Sequence, residues 1–287
     1  MNKLSIQNLA RWYTDYDMIR TYTDLPSYPE VRTRLLLAAL EEEGVGEERR
    51  TLYALVVSLV QMGLDTHQTV PVRSERKDKP AARSLQLKVL AGDYFSARYY
   101  DLLARAGEIE MIDRIASAIC EVNRKKMNFY LQTRQAVIGP EEWLDQKVSI
   151  QMEMFLLFHY LMTGKRTAEW PDLLRSATCL EILAAEYMAE GQAEEEQDSW
   201  IYWYLIHSAA ADDRKQIQSD RCTPKTKEAL FVKYRVRERL ASLLERELLR
   251  FEKIGNGMSN GKLAAEVESA SAAWKDCLKG NKVLEER

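Results

Sequence analysis

No run of apolar residues in this sequence is long enough to cross a bilayer. The longest mostly apolar stretch, Ala54 to Val60, stops far short of the roughly 20 residues a spanning helix needs. Met1 to Leu9 has neither an apolar core nor a small-residue cleavage site, so no secretory signal is expected and a cytoplasmic location follows. Cysteine is scarce, and Cys120, Cys179, Cys222 and Cys277 stand far apart. That spacing excludes a CxxC-type zinc site or redox pair and leaves four buried or free thiols as the expectation. A basic excess is also missing. The 41 Lys and Arg residues face 44 Asp and Glu, a net charge of −3 with a pI of about 5.9, whereas nucleic-acid binders carry a clear positive surplus. The Gly-rich phosphate loops, the GxSxG elbow and the HExxH zinc motif are all absent.

What fills the 287 residues is helical periodicity. Helices are expected over Val31–Leu40 with Gly44 as C-cap, Glu48–Thr69, Ser84–Ala106 and Ile109–Thr133. Val70 to Arg83, with Pro71 and Pro80, reads as an exposed loop. After Gly139–Pro140 a helix runs to about Met162, and Pro171 opens another over Asp172–Ala189 at an N1-like position. Further helices span Glu194–Ala211, Lys225–Lys253 and Lys262–Lys279. Glycines between residues 255 and 261 suggest a flexible hinge. The expected fold class is all-α: a helical domain over 1–254, then a hinge and a C-terminal helix over 255–287.

Isolated polar features mostly have plain explanations. Glu194–Glu195–Glu196 suits the solvated first turn of a helix. Asp212–Asp213 is the only Asp-Asp pair, but Arg214 and Lys215 follow where a magnesium–diphosphate site would need another carboxylate. His159 and His207 on apolar stretches read as core or partly buried side chains. Trp200, Tyr202, Trp203 and Tyr204 read as core or subunit interface, or else as a wall of an apolar tunnel.

Two stretches are more informative. Ser58, Gln61, Asp65, Gln68 and Thr69 recur at spacings of three and four, forming a polar stripe on one helix face. In Leu87–Lys88–Val89–Leu90–Ala91–Gly92–Asp93–Tyr94–Phe95–Ser96, an aspartate sits inside an apolar helix. A buried carboxylate is costly unless paired, so Asp93 is expected to be buried and structurally hydrogen-bonded. Gly92 costs about 1 kcal/mol against Ala in a helix and suggests a close helix–helix approach.

Together these stretches resemble two adjacent core helices of the trans-prenyl diphosphate synthases. In that family the first helix ends in His-Asp-Asp-x-x-Asp and the next carries Leu-Ala-Gly-Asp-Tyr/Phe-Leu. His67 falls on the motif's histidine, while its three aspartates fall on Gln68, Thr69 and Val72. Leu90 to Tyr94 match intact. The closer resemblance is to heptaprenyl diphosphate synthase component 1. Gln61, Leu64 to His67, Gln86–Leu87, Val89 to Ser96 and Tyr99–Tyr100 fit its pattern. The likeness is specific over about residues 50–130 and weak after Gly139.

The resemblance implies a small, non-catalytic subunit of a heterodimer. Its catalytic component 2 would hold the magnesium and extend farnesyl diphosphate with isopentenyl diphosphate toward a menaquinone side chain. This chain would bind no cofactor or metal itself, would touch no nucleic acid, and would border the growing isoprenoid tail. Asp65, Gly92, Asp93 and Tyr94 are the structural or partner-contact candidates, and small residues near Gly63 or Ala97 are candidates for lining the tail's space. The competing readings are an unrelated all-α scaffold protein and a self-sufficient synthase with degenerate metal ligands.

Overall fold

The computed structural model describes residues 6–14, 25–70, 79–135, 138–189, 198–218 and 223–285, and all the regular elements among them are helical. In order they are α1 (Ile6–Thr14), α2 (Glu30–Glu42), α3 (Glu47–Gln68), α4 (Lys79–Arg105), α5 (Ile109–Gln135) and α6 (Pro140–Leu156), which runs into a 3-10 turn (Leu157–Leu161). Then follow α7 (Arg166–Ala189), α8 (Trp200–Ser208), α9 (Ala211–Ile217), α10 (Pro224–Lys233), α11 (Val236–Asn256) and α12 (Lys262–Glu285). Among the described residues, no helix is long and apolar enough to cross a membrane.

The chain divides into two compact units, Met1–Glu121 with Glu153–Thr167, and Val122–Met152 with Ala168–Arg287. The first is organised around α3, whose residues Tyr53 to Leu64 are all buried. A helix buried on every side over three turns belongs inside a bundle. Ala10 of α1 packs on Leu55 and Leu59, and α2 and α4 also lie against α3. Gly107, at φ +73°, turns the chain from α4 into α5. The Glu108 amide donates to the Leu103 carbonyl at 2.9 Å there, a helix-ending bond that the left-handed glycine makes possible. Burial raises the Tyr99 phenol of α4 above its ordinary value, and the neighbouring Tyr100 and Cys120 add to the shift.

In the second unit the Trp143 ring meets Phe129 edge-on, with centroids 6.3 Å apart. Ser176 of α7 donates to Glu247 of α11 at 2.7 Å. Helix α12 packs along α11: Phe251 and Trp274 meet edge-on at 5.2 Å, and Leu263, Val267 and Ala270 are buried. Helix α11 continues to Asn256, so the expected boundary at 254/255 falls inside it.

Several expected bounds move. Helix α4 starts at Lys79, so Pro80 stands in its first turn, where a missing N–H costs nothing. Pro171 lies inside α7 and does not open it. The helix expected over 225–253 is broken at Tyr234–Arg235, where Arg235 takes φ +50°. The reason is tertiary. Tyr204 donates to the Tyr234 carbonyl at 3.1 Å, and the Tyr234 hydroxyl accepts from the Ala210 amide at 2.9 Å while donating to Asp213.

Candidate functional site

The site expected from the sequence lies at the C-terminal end of α3 and on the facing stretch of α4. Two glycines set the spacing. A Cβ on Gly63 would sit 2.7 Å from Ser96 Oγ and 3.1 Å from the Gly92 carbonyl oxygen. A Cβ on Gly92 would sit 2.7 to 2.9 Å from three atoms of the His67 ring. The expectation of a close helix–helix approach at Gly92 holds, and Gly63 is its counterpart. Gly63 is therefore buried between two helices of this chain. Ala97, by contrast, is exposed on α4.

The imidazole of His67 reaches across this contact, and its Nε2 lies 3.3 Å from Asp93 Oδ1. Asp93 is not buried: its side chain is 65% exposed. The apolar face of α4 that packs inward carries Ala91 and Phe95, against Met62 of α3, while Asp93 stands at the exposed edge of the contact, beside His67. The expected partner exists, and the expected burial does not. Tyr94 is half-buried, edge-on to Phe95 at 5.9 Å, with the Arg98 guanidinium 5.8 Å over its ring.

On α3 the Gln61 carboxamide nitrogen donates to both carboxylate oxygens of Asp65, at 3.0 Å each. Thr66 donates to the Met62 carbonyl at 2.6 Å, and Thr69 donates to the Thr66 carbonyl at 2.8 Å. Gln68 is exposed at the helix end, and Val72 lies outside the described residues. Magnesium demands near-octahedral oxygen ligation with at least one or two free carboxylates. At this helix end the donors are a neutral amide and a hydroxyl already bonded to the backbone. The two nearby carboxylates are held by Gln61 and His67. The residues present do not fit the ion. Among the described residues no group of three or more His, Cys, Asp or Glu side chains is placed to hold a metal.

The other candidates fall elsewhere. Asp213 is a tether and not a surface ornament: it accepts from Lys233 and Tyr234, which hold its carboxyl below the usual range. His159 is half-buried, but His207 is exposed at the end of α8, a correction to its expected burial. Trp200 and Trp203 are core, and Trp200 stacks on Tyr204 at 4.9 Å. Glu194 to Glu196 and Cys222 lie outside the described residues. Burial pushes the Cys179 thiol up to about 12.

Sequence reasoning missed a charged knot in the first unit. Tyr53 donates to Glu108 at 2.7 Å, and Arg49 bonds both the Tyr53 hydroxyl (2.6 Å) and Glu108 (2.9 Å). Burial raises the Glu108 carboxyl, but the bonds from Tyr53 and Arg49 outweigh it and hold the group below its ordinary value. No spacing rule joins residues 55 apart in sequence, so nothing in the sequence marked this knot.

The comparisons with known proteins follow this geometry. A family model described as heptaprenyl diphosphate synthase (HEPPP synthase) subunit 1 matches residues 16–230. A heptaprenyl diphosphate synthase component 1 from Geobacillus stearothermophilus is 40% identical over 84 residues, which is 29% of this chain and 35% of that protein. The matched segment thus spans about a third of the relative's length. Among solved structures, a geranylgeranyl pyrophosphate synthase from Lactobacillus brevis superposes with a TM-score of 0.68 at 12% identity, covering 94% of this chain and 96% of its own. A decaprenyl diphosphate synthase from Rhodobacter capsulatus gives 0.66 at 14%, covering 96% and 94%. A heptaprenyl diphosphate synthase from Staphylococcus aureus gives 0.65 at 12%, covering 95% and 98%. At such identities the structures establish the fold alone: the all-α prenyl synthase fold extends over nearly the whole chain.

Proposed function

The chain belongs to the family of heptaprenyl diphosphate synthase subunit 1, and from that premise we propose that it is the non-catalytic subunit of a cytoplasmic heterodimer. Its partner, component 2, carries the magnesium-dependent condensation. Prenyl transfer ionises an allylic diphosphate, and the charge that develops on the leaving group must be neutralised by metal ions held on carboxylates. The observation that carries the reading is the end of α3, where Gln68 and Thr69 stand in place of two such carboxylates. The chain keeps the scaffold around that helix end, with Gly63 against Gly92, Gly92 against the His67 ring, and His67 beside Asp93.

In this reading the subunit contributes apolar space and a docking face. An elongating tail toward C35 needs more room than one ordinary active site offers. Isoprene units are bound by non-directional burial that scales with area, so a partner subunit supplies that room without catalytic groups. The long product then serves as a menaquinone side chain.

The test is reconstitution. The purified chain, purified component 2 and their mixture are each given magnesium, farnesyl diphosphate and isopentenyl diphosphate, and the products are separated by chain length. Long-chain product is expected from the mixture alone. Turnover by the isolated chain would replace this reading with that of a self-sufficient synthase. A mixture no more active than component 2, with the same product lengths, would leave a scaffold protein.

A further inference from the structure

Helices α10 and α11 read in the sequence as one helix, and in the structure a single residue parts them. Arg235 takes φ +50° and stands at the start of α11 without a side-chain capping bond. Left-handed backbone is strained for residues other than glycine. The amides of Val236, Arg237 and Glu238 fall in the first turn of α11, where no carbonyl of the helix can accept from them. In an unbroken helix those amides would bond the carbonyls of Val232, Lys233 and Tyr234. The bend therefore costs backbone strain and helix bonds together, and a group outside the helix must hold it.

Tyr234 is where it is held. Its carbonyl accepts from the Tyr204 hydroxyl of α8, and so serves as the acceptor that the Glu238 amide would use in a straight helix. The Tyr234 hydroxyl accepts from the Ala210 amide and donates to Asp213, and Lys233 donates to the same carboxylate. Away from this knot α10 is lightly held: of its described side chains only Leu230 is buried. Val232 is 76% exposed. Yet Val232 stands one helical turn before Val236, at the head of a stripe in which Val236, Leu240, Leu243, Leu244 and Leu248 are all buried. A straight helix would carry that stripe back through Val232 and Ala229 and would turn Leu230 away from it. Two packings of the same sequence therefore compete.

We propose that the junction of α10 and α11 is a two-position joint, locked bent by Tyr204 and Asp213 through Tyr234, and that release of the lock joins α10 to α11 as one helix with Val232 in line with the buried stripe. The lock is open to solvent on one side, where the Lys233 side chain is 57% exposed. A contact that favours the freed lysine thus shifts α10 toward the straight position, and the end of α8 is coupled to the start of α11. The joint does not depend on the proposed function, since a synthase subunit and a scaffold protein could both carry it.

The experiment is amide hydrogen exchange on the purified full chain, resolved across residues 224–248. Tyr204→Phe, Asp213→Ala and Tyr234→Phe together remove the bonds of the knot. In this unlocked chain, exchange at Val236, Arg237 and Glu238 should slow by roughly tenfold or more as these amides gain helix partners. Adding Arg235→Gly should undo the slowing, because glycine accepts the left-handed backbone freely. If the unlocked chain does not fold, the exposed Arg235 carries the same test alone: Arg235→Ala favours the straight helix and should slow the three amides relative to Arg235→Gly. Val232→Gln should leave exchange in the natural chain unchanged, and in the unlocked chain it should restore part of the fast exchange by placing a polar group on the stripe. The proposal is overturned if the three amides exchange alike in the natural chain and the folded unlocked chain, or alike in Arg235→Ala and Arg235→Gly. Loss of protection throughout α10 in the unlocked chain would also overturn it, because the helix would then have frayed and not joined. An equal effect of Val232→Gln in both backgrounds would remove the stripe as the reason for joining, and the joint with it.

Discussion

The imidazole of His67 lies against the α-carbon of Gly92 so closely that a Cβ there would be 2.7 Å from Nε2. One helix presents a ring, the next presents the absence of a side chain, and the Asp93 carboxylate beside it holds the ring at 3.3 Å. Leu-Ala-Gly-Asp thus works as a unit here: the glycine admits the ring and the aspartate orients it.

Gly92→Ala tests that relationship. Alanine favours the helix by about 1 kcal/mol, but its methyl group must displace the ring, and overpacking of this kind costs about 1–3 kcal/mol. A net loss of roughly 1 kcal/mol is expected in urea unfolding. In a His67→Ala background the same change should become neutral or stabilising. Equal effects in the two backgrounds would show that the ring is not what excludes the methyl group.

Gly63→Ala should be worse. Its Cβ meets Ser96 Oγ at 2.7 Å and the Gly92 carbonyl at 3.1 Å, and backbone cannot swing aside as a side chain can. A loss of about 2–3 kcal/mol is expected. Adding Ser96→Ala should recover only part of it, because the carbonyl contact remains. Full recovery would assign the whole clash to the hydroxyl.

Glu108 supplies a pH signature. Its carboxyl is held below the ordinary 4.5 by Tyr53 and Arg49, against the effect of burial. A group depressed in the folded state contributes stability above its unfolded pKa, and that contribution disappears as pH falls through the folded value. Glu108→Gln should therefore cost roughly 1.5–2 kcal/mol at pH 7, the low end of the range for bonds to a charged group because Arg49 is half-exposed. The gap to the natural chain should narrow below about pH 4.5. Parallel melting curves from pH 7 to pH 3 would contradict the assignment.

The contact of α3 with α4 was legible because it is local in sequence and written in glycine and spacing. Gly92 beside Asp93 announced a close approach, and the structure places one there. Burial of Asp93 was not legible. An apolar helix suggests an interior, yet among the described residues the face of α4 that packs on Met62 is the one with Ala91 and Phe95, and Asp93 lies outside it. Apolar spacing shows that a helix has a face to bury, and not which of its polar residues the fold covers. The break at Tyr234–Arg235 was hidden for a different reason. Val232 to Leu240 read as continuous helix, and only the bonds to Tyr204, Ala210 and Asp213, all more than 20 residues away, end it there.

Arg235 carries the strain of that break. An L-residue in the left-handed region costs about 1–2 kcal/mol, and its side chain is exposed. Arg235→Gly removes this cost, while glycine's greater freedom in the unfolded chain returns about 0.5–1 kcal/mol. A small net gain, on the order of 0.5 kcal/mol, is expected in the urea midpoint. A clear loss would mean that the arginine side chain makes a contact that matters more than its backbone.

Placing carboxylates at the end of α3 probes the non-catalytic reading directly. Gln68→Asp with Thr69→Asp puts two negative charges at a helix C-terminus. The helix dipole disfavours each by about 0.3–1 kcal/mol, and the Thr69 bond to the Thr66 carbonyl disappears as well. In metal-free buffer the double variant should therefore melt below the natural chain. Magnesium should return part of that loss, because a divalent cation relieves the repulsion between the new carboxylates. The natural chain, with Gln68 and Thr69 neutral and Asp65 held by Gln61, should melt at the same temperature with and without magnesium. Neither protein should turn over farnesyl and isopentenyl diphosphates alone. Two carboxylates at one helix end fall short of the oxygen ligands that a magnesium–diphosphate centre needs. Magnesium-dependent stabilisation of the natural chain would show that it keeps a metal site outside the residues considered, and the non-catalytic reading would then have to be abandoned for the self-sufficient one if turnover accompanied it.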